Sequence, residues 1–343
     1  MATIKDVAKM AGVSPSTVSR TLSGKIPVDS ETRERVMNCV RQLDYRPNVI
    51  AKGLREGKTR AIAFLLPNIE NQIYPSLAIA VEAEARRHGY FVFFCNTQDD
   101  PQRELDYVEK LKSRFVDGFI FSTAASDSPT ILQLRRQEYP VVCLMRATAD
   151  GVNAFVSNNE QGAYLGVSFL IENGFTRIAT ITGRPSLELY KQRLQGYCRA
   201  LEDHGLPLDP ALIWSGVDGQ CEKAFHCTRE HLLAGPPPEV IFAQSDPLAF
   251  DAMRAAGSLG LRVPEDLSVL GYDNVPLAAC YTPPLTTVEQ PLHEMGKAAV
   301  QRLISMIEGD IPLESPATQF SANIIIRGSV KLAGQKTIRE FTS

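Results

Sequence analysis

The sequence predicts an α/β protein in which a small helical headpiece precedes a body of two doubly wound parallel sheets. In residues 1–46 the apolar side chains recur only at helical spacing, whereas from residue 61 short apolar runs alternate with amphipathic segments. Strands that alternate with helices form parallel sheets joined by right-handed crossovers. The 343 residues also exceed the ~100–200 that one domain usually needs.

The run T-I-K-D-V-A-K-M-A-G at residues 3–12 predicts a short helix and its end. Thr3 is a preferred N-cap residue, and Asp6 stands three positions on, as in a capping box. Apolar residues then recur at helical spacing and give one buried face. Gly12 ends the helix, because glycine adopts the left-handed C-terminal conformation without steric cost.

A second helix is predicted directly after this turn, which makes the pair a helix-turn-helix. Ser14 caps the second helix, Pro15 fits its first turn, and Val18 turns inward onto the first helix. The residues expected on or near the outer face are Pro15, Ser16, Thr17 and Arg20. Such a face is typical of a helix that lies in the DNA major groove; an ordinary helical hairpin is the alternative.

Charge and a third helix favour the DNA-binding alternative. Residues 1–60 hold 12 Lys and Arg against 6 Asp and Glu, whereas the whole chain holds 36 against 39. A cationic headpiece on an acidic body suits a polyanionic partner of the headpiece. The third helix begins at Asp29 or Ser30, and it buries Val36, Val40 and Leu43, so that three helices share a small core.

Residues 45–55, Y-R-P-N-V-I-A-K-G-L-R, predict a segment between coil and helix. About two helical turns are too short to be stable alone, yet Ala51 and Leu54 share an apolar face. Such a segment folds when a partner supplies the missing contacts. Leu54, flanked by Lys52 and Arg55, has the chemistry of an apolar wedge between base steps in the minor groove. A solvent-exposed linker is the alternative.

These runs resemble the lac repressor/galactose repressor family of bacterial transcription factors. T-I-K-D-V-A-K-x-A-G-V-S-P-S-T-V-S-R is followed by Y-R-P-N-x-x-A-x-x-L-R, and later elements match the family in order and spacing. The resemblance implies a headpiece and hinge helix coupled to a two-lobed body like periplasmic binding proteins. It also implies that Leu54 enters the minor groove at the operator centre. The residues expected to contact DNA are Thr3, Ser14, Pro15, Ser16, Thr17, Arg20, Asn48, Ala51, Leu54 and Arg55.

The body contains two successive sets of predicted strands and helices. The strands of the first set are expected at residues 61–66, 90–95, 118–122 and 141–144, with a short one at 155–156, and its helices at 74–88, 101–114 and 128–138. The strands of the second set are expected at 177–182, 240–243, 267–271 and 323–327, and its helices at 160–173, 190–204, 220–233, 247–256 and 292–307.

The predicted domain boundaries follow from these elements and from the resemblance. They are a headpiece at 1–46, a hinge helix and linker at 47–60, a two-lobed body at 61–333 and a polar tail at 334–343. The resemblance implies three crossings between lobes, near Asn158, Val288 and Thr318. The N-lobe is then 61–157 plus 288–317, and the C-lobe 158–287 plus 318–333. The tail shows no heptad run, which favours a dimer over a tetramer.

Polar residues follow several predicted strands, where ligands of doubly wound sheets bind. Asn71 and Tyr74 follow the first strand, and Arg193, Asp246 and Asp273 follow strands of the second set. An arginine and two aspartates around one crevice suit a polyhydroxylated ligand. From the residues alone, Asp246 is most simply a helix N-cap before Pro247, and Asp273 a turn residue.

The motifs R-L-x-G-Y at Arg193 and G-Y-D-N at Asp273 resemble those that bind effectors in the family. We therefore expect a sugar or sugar derivative as effector. Arg184 and Lys191 lie near Arg193 in the sequence, which leaves an anionic sugar derivative open.

Other classes of protein receive little support from the sequence. It has no apolar run of 18 residues, no signal-peptide pattern, and neither a nucleotide-binding glycine motif nor a nucleophile elbow. A zinc site from Cys221, His226, Cys227 and His231 has unusual spacing. We expect a cytoplasmic homodimeric regulator of carbohydrate-utilisation genes. Members of this family are most often repressors. The expected partners of the regulator are a pseudo-palindromic double-stranded DNA operator and a small-molecule effector, with no cofactor, metal, membrane or catalysis. A solute receptor without DNA function and an enzyme remain the alternatives.

Overall fold

A computed structural model describes residues 2–23, 27–45, 58–112, 115–123, 125, 127–214 and 221–333. The chain divides into two compact units, at residues 1–59 and 60–343. Most of the predicted hinge segment and the polar tail lie outside the described residues. Within the described residues, no helix is long and apolar enough to cross a membrane.

Three helices form the headpiece: α1 (Ile4–Ala11), α2 (Pro15–Ser23) and α3 (Ser30–Gln42). The predicted capping box is present, because Thr3 and Asp6 exchange side-chain and backbone hydrogen bonds. Gly12 has φ +63° and ends α1 in the left-handed conformation. The buried core consists of Val7, Ala8, Ala11, Val18, Val36 and Cys39.

The body contains two six-stranded sheets. The strands of the first are β1 (Ala61–Leu66), β2 (Phe91–Asn96), β3 (Gly118–Phe121), β4 (Val141–Leu144), β5 (Ala154–Ser157) and β11 (Thr318–Phe320). The strands of the second are β6 (Ile178–Ile181), β7 (Ile213–Trp214), β8 (Val240–Ala243), β9 (Ser268–Asp273), β10 (Thr286–Glu289) and β12 (Asn323–Ile325).

Nine described helices belong to the body. They are α4 (Ile73–Arg87), α5 (Pro101–Lys112), α6 (Pro129–Arg136), α7 (Asn159–Glu172), α8 (Glu188–Asp203), α9 (Cys221–Ala234), α10 (Asp246–Ser258), α11 (Pro276–Cys280) and α12 (Leu292–Glu308). A short 3₁₀ turn at Pro210–Leu212 precedes β7.

The strand orders are β11-β5-β4-β3-β1-β2 in the first sheet and β12-β10-β9-β8-β6-β7 in the second. All described pairings are parallel except that between β10 and β12. The apolar strands are covered on both faces, so each lobe has two buried clusters, one on each side of its sheet.

The strand pairings correct two of the predicted crossings between lobes. The predicted crossing near Val288 lies later, because Val288 still pairs with Tyr272 in the second sheet. The predicted crossing near Thr318 also lies later, because Thr318 pairs with Phe155 in the first sheet. The chain therefore passes to the N-lobe between β10 and α12, which packs on α4, and returns to the C-lobe between β11 and β12.

Three short strands had no sequence signal that set them apart from loops. β7 has two residues, β11 has three, and β10 is a four-residue run, T-T-V-E, without a long apolar stretch. The predicted strand at 323–327 is present as β12 but pairs antiparallel with β10. These strands form through pairing with longer neighbours rather than through their own patterning.

The close packing of α8 on α7 depends on one glycine in the motif R-L-Q-G-Y. A Cβ atom on Gly196 would lie 2.1 Å from the carbonyl oxygen of Glu160 and 2.9 Å from the Cβ atom of Ala163. The next residue, Tyr197, is fully buried and donates a hydrogen bond to the carbonyl oxygen of Ile178. Gly196 therefore allows the close approach that positions Arg193 one turn earlier on the same helix.

We predict that Gly196→Ala lowers the free energy of unfolding by about 1–3 kcal/mol, because the new methyl group meets backbone that cannot move aside easily. Gly257→Ala is the matched control, because that helical glycine has no atom within 4 Å of its would-be Cβ, and alanine favours a helix by up to ~1 kcal/mol. Chemical denaturation of both variants measures the difference. Equal stability of the two variants would contradict the close-approach role.

Candidate functional site

The outer face of α2 presents the residues that the sequence predicts to read DNA. Pro15, Ser16 and Arg20 are exposed and Thr17 is half-buried. The Ser14 hydroxyl accepts a hydrogen bond from the Thr17 backbone N–H at 3.1 Å, which caps the helix.

Hydroxyl contacts of Ser14 and the burial of Val18 hold the outer face of α2 in place. The Ser14 hydroxyl also contacts the hydroxyls of Ser16 at 2.7 Å and Thr17 at 2.9 Å. Val18 is fully buried and holds the opposite face of α2 against the headpiece core.

Thr3 is exposed at the beginning of α1. The other predicted DNA contacts, Asn48, Ala51, Leu54 and Arg55, lie outside the described residues.

Arg193 links four elements of the C-lobe at the carboxyl end of its sheet. Its side chain is 3% exposed. Nε donates to Asn159 Oδ1 at 2.9 Å, and Nη1 donates to the carbonyl oxygen of Gln244. Nη2 lies 3.4 Å from Asp273 Oδ1, and the guanidinium carbon lies 3.6 Å from the centre of the Tyr272 ring. The arginine therefore connects α7, α8, β8 and β9 at one point.

Asp273 is held in a backbone conformation that non-glycine residues rarely adopt. Its φ is +119°, and Asn274 follows with φ +55°, so the turn predicted at this motif stores backbone strain. Oδ1 accepts a hydrogen bond from Gln290 Nε2 at 2.7 Å. Burial raises the pKa of Asp273 to about 6, although Arg193 and Gln290 favour its ionised form. At neutral pH the carboxylate is thus the charged partner of Arg193.

Asp246 lies beneath this site rather than beside Arg193. It is fully buried as the first residue of α10 and makes no side-chain cap, so the N-cap alternative is wrong. Its Oδ2 accepts from the Val275 backbone N–H at 2.8 Å, and its Oδ1 accepts from the Thr287 hydroxyl at 2.6 Å. A Cβ atom on Gly271 would lie 2.4 Å from Oδ1. Both oxygens therefore serve residues of the C-lobe itself, next to the turn at Asp273.

The N-lobe contributes a second polar group from the ends of its strands. Tyr74 is buried, and Arg146 Nη2 donates to its hydroxyl at 3.4 Å. Arg146 also forms an ion pair with Asp99, with Nη1 2.7 Å from Oδ1. Burial lowers the pKa of Arg146, but Tyr74 and Asp99 outweigh it and the net shift is upward. Asn71 is half-buried and uses its Oδ1 to accept from the Ile73 N–H at the beginning of α4.

Two contacts join the lobes across the crevice. Arg184 follows β6 in the C-lobe, and its Nη2 lies 3.0 Å from Asp99 Oδ2 in the N-lobe. The Leu277 backbone N–H of the C-lobe donates to Gln72 Oε1 of the N-lobe at 3.2 Å. The two lobes are therefore closed on each other in this structure.

Several buried polar atoms at the strand ends lack partners among the described residues. They include Gln244 Oε1, Arg146 Nε and Asn96 Oδ1. A buried polar group without a partner costs about 1–3 kcal/mol. These atoms can bind the hydroxyl, carboxylate or amide groups of a polar ligand or ordered water.

Sequence reasoning missed several of these side chains. Arg146 follows β4, Asp99 follows β2, and Gln290 follows β10. The general rule that ligands bind beyond the carboxyl ends of strands would have included all three. No sequence motif contains them, and β10 lacks the apolar run that predicts a strand.

The alternative zinc site receives no support from the described residues. There, no group of three or more His, Cys, Asp or Glu side chains could hold a metal ion. His231 stacks on Trp214 at 4.8 Å, whereas His226 meets the ring of Phe225 edge-on. The two histidines thus pack against different aromatic neighbours.

The folded headpiece and the two-lobed body together define a DNA-binding regulator with an effector-binding domain. Residues 3–48 match the family described as bacterial regulatory proteins, lacI family, and residues 167–330 match a periplasmic binding protein-like domain. The chain is 35% identical to the ribose operon repressor of Halalkalibacterium halodurans over 96% of its own length and 98% of that protein. This protein belongs to the lacI family of bacterial transcriptional regulators.

Two further similarities extend over nearly the whole chain. It is 34% identical to the HTH-type transcriptional repressor PurR of Aliivibrio salmonicida, over 96% of this chain and 99% of that protein. A lac repressor dimer bound to operator and the anti-inducer ONPF matches with a TM-score of 0.85 and 27% identity, over 96% of this chain and 98% of that one. The expected family, fold class and regulatory function are thereby confirmed, and the solute-receptor alternative is not favoured.

Asp246 makes a pH-dependent contribution to stability. Burial, together with the nearby charge of Asp273, raises its pKa to about 8, although Thr287, Val275 and Arg327 favour the ionised form. The folded protein then binds the proton more tightly than the unfolded chain does. The contribution is fully present below the unfolded pKa near 4 and is lost as pH rises through about 8.

We predict that Asp246→Asn removes this pH-dependent loss of stability. The free energy of unfolding of the variant should therefore fall less steeply than that of the wild type between pH 6.5 and 8.5. One proton changes the slope by at most about 1.4 kcal/mol per pH unit. Thr287→Val is the control, because it removes a hydrogen bond to the same carboxyl group but keeps the titrating proton. Urea denaturation across this pH range measures the slopes. Identical slopes for wild type and Asp246→Asn would contradict the shifted pKa.

Proposed function

We propose that this protein represses carbohydrate-utilisation genes by binding a pseudo-palindromic operator as a homodimer. A sugar or sugar derivative in the crevice between the lobes controls that binding. The observation that carries the proposal is the convergence of Tyr74, Arg146, Arg193 and Asp273, from both lobes, on one crevice that retains unpartnered polar atoms. Relatives named for ribose, and a structural neighbour described as a CelR–cellobiose complex, support a carbohydrate ligand.

The residues proposed to bind the effector are those that face this crevice. Tyr74, Arg193 and Asp273 belong to the binding set, with Asn71 at its N-lobe edge. Asp246 acts as a positioning residue, because its carboxyl group holds the Val275 N–H beyond Asp273. The protein has no catalytic role in this proposal, and it acts in the cytoplasm, where a bacterial regulator meets its DNA.

The DNA contacts are assigned to the outer face of α2 and to the hinge. Pro15, Ser16 and Thr17 approach base edges in the major groove, Thr3 and Ser14 contact the backbone, and Leu54 enters the minor groove between two hinge segments. The remaining hinge contacts are Asn48, Ala51 and Arg55. Two headpieces on one dimer require two half-sites of opposite orientation, because the operator mirrors the two-fold symmetry of the protein.

We predict that Arg20→Ala relaxes base preference at one position of each half-site. A bidentate arginine–guanine pair discriminates by ~1–3 kcal/mol, so the wild type should prefer one base by about 5- to 150-fold at that position. The operator is first selected with full-length wild-type protein from a randomised DNA pool. Fluorescence anisotropy then measures affinity for the selected duplex and for its single-base variants.

Arg41→Ala is the matched control for that experiment, because Arg41 is an exposed arginine on α3 that hydrogen-bonds to Asn38. It removes the same charge away from α2 and should weaken all duplexes alike. If Arg20→Ala also weakened all duplexes alike, the base-reading role would be lost. Failure to select any DNA sequence would overturn the regulatory proposal itself.

The proposed dimer surface includes the edge strand β2. β2 pairs only with β1 among the described strands and exposes Phe91, Phe93 and Phe94, of which Phe91 is 71% exposed. Ile79 on α4 is equally exposed. An apolar edge strand without lysine or proline invites pairing or cover by another chain. The two-fold symmetry of the operator requires a dimer, and a second copy of this chain would cover this apolar surface.

We predict that Phe91→Lys shifts the dimer towards monomer, because a charge replaces an apolar side chain in the covered surface. Sedimentation velocity measures the dissociation constant, which should rise at least about tenfold, equivalent to 1.4 kcal/mol. Leu208→Lys is the control, because Leu208 is an exposed apolar residue in a C-lobe loop. Unchanged association of Phe91→Lys would exclude β2 from the interface.

A further inference from the structure

We propose that the effector of this crevice is a sugar acid whose carboxylate binds between Arg146 of the N-lobe and Arg184 of the C-lobe. The inference rests on the proposed function of the crevice as the effector site, and it assigns the chemical class of the ligand. It also assigns two specificity residues, one on each lobe, that no sequence motif contains.

The two arginines already share one carboxylate of the protein. Asp99 Oδ1 lies 2.7 Å from Arg146 Nη1, and Asp99 Oδ2 lies 3.0 Å from Arg184 Nη2. Asp99 and the preceding Gln98 have φ values of +55° and +58°. Two successive non-glycine residues in the left-handed region are uncommon and cost backbone energy. The loop thus places a carboxylate between two cations, which shows that this position accommodates an anion.

The two carboxylates of the crevice do not balance its three cations. Its cations are Arg146, Arg184 and Arg193, and its carboxylates are Asp99 and Asp273. One positive charge therefore remains. Arg146 and Arg193 are buried, whereas Arg184 keeps 42% of its side chain exposed. A ligand that covered Arg184 would remove this cation from water, which is unfavourable unless an anion compensates it, so a ligand with one negative charge is the complementary occupant.

Three neighbouring groups bear on this charge count. Glu104 is buried and lies near Asp99 and Arg146, and burial raises the pKa of its carboxyl group, which favours the neutral form. Asp246 is mostly protonated at neutral pH because burial raises its pKa to about 8. Lys191 is exposed and pairs with Glu188 at 3.2 Å on the outside of α8. The sequence grouped Lys191 with Arg184. In the structure it is Arg146 of the other lobe that shares a carboxylate with Arg184.

Arg146 also has an unused donor. Its side chain is 9% exposed, and its Nε has no hydrogen-bond partner among the described residues. An arginine binds a carboxylate most strongly through two parallel N–H groups. A ligand carboxylate at this position would use the remaining donors of Arg146 and Arg184. The single negative charge of a carboxylate matches the one excess positive charge of the crevice better than the nearly two negative charges of a phosphate ester do.

The experiment is isothermal titration calorimetry of the full-length protein at pH 7.5, which measures its affinity for a set of matched sugars. The probes are hexoses and pentoses, their uronates and aldonates, the corresponding uronamides, and the sugar phosphates. We expect at least one carboxylate to bind at least about tenfold more tightly than its uronamide or parent sugar, which is the contribution of one charge-assisted hydrogen bond. The uronamide is the sharpest comparison, because it retains the shape and loses the charge.

Two variants then change the preference in opposite directions. Arg184→Gln should lower the ratio of carboxylate to uronamide affinity about tenfold, because it removes one cation. Asp99→Asn should raise that ratio, because it removes a competing anion. Altered closure of the lobes would affect both ligands together and leave the ratio unchanged. A misfolded variant would lose both ligands and would also lose cooperative thermal unfolding.

The proposal is overturned if no carboxylate is preferred, if a sugar phosphate is preferred over every carboxylate, or if Arg184→Gln leaves the ratio unaltered. Binding of neutral sugars alone would retain the effector crevice and reject only the sugar acid. DNA selection with the same preparation tests the regulatory function separately. The two failures are therefore distinguishable.

Discussion

The effector crevice depends on the buried guanidinium of Arg193. Removing one partner from a buried ion pair costs about 3–5 kcal/mol, because the remaining charge stays desolvated. In this protein the cation is compensated by Asp273, by the oxygen atoms of Asn159 and Gln244, and by the face of Tyr272. Helices and strands that are distant in sequence are thereby fixed relative to one another. Removal of any partner would disturb the position of the others.

The surrounding residues allow this arginine to be buried. Gly196 brings α8 onto α7, so that Arg193 reaches Asn159 at the beginning of α7. Asp246 holds the Val275 N–H, which fixes the chain beyond the strained turn at Asp273. Strained backbone persists only where the surrounding contacts over-determine it. The motifs R-L-Q-G-Y and G-Y-D-N therefore combine a residue that is proposed to bind the ligand with the residues that position it.

How much of the molecule the sequence could predict depended on the range of the interactions. The headpiece follows from local rules, because Thr3, Gly12 and Ser14 make contacts within four residues and each is present as predicted. The long apolar strands were equally clear. By contrast, β7, β10 and β11 exist only through pairing with strands far away in sequence. Asp246 has a helix-cap pattern, yet its carboxyl group is used by residues 29 and 41 positions later.

The same distinction explains why the N-lobe half of the crevice was hardest to predict. Asp99 and Arg146 are separated by 47 residues, and Asp99 and Arg184 by 85. The first pair forms only when β2 and β4 are brought into one sheet, and the second only when the two sheets face each other. Since Asp99 bridges the lobes, a ligand anion that competes for its two arginines changes the free energy of closure and not only the occupancy of the crevice. A ligand shifts a conformational equilibrium only by its differential affinity for the two states. An anion that contacts one arginine from each lobe has that differential affinity, because only the closed arrangement brings both cations to it.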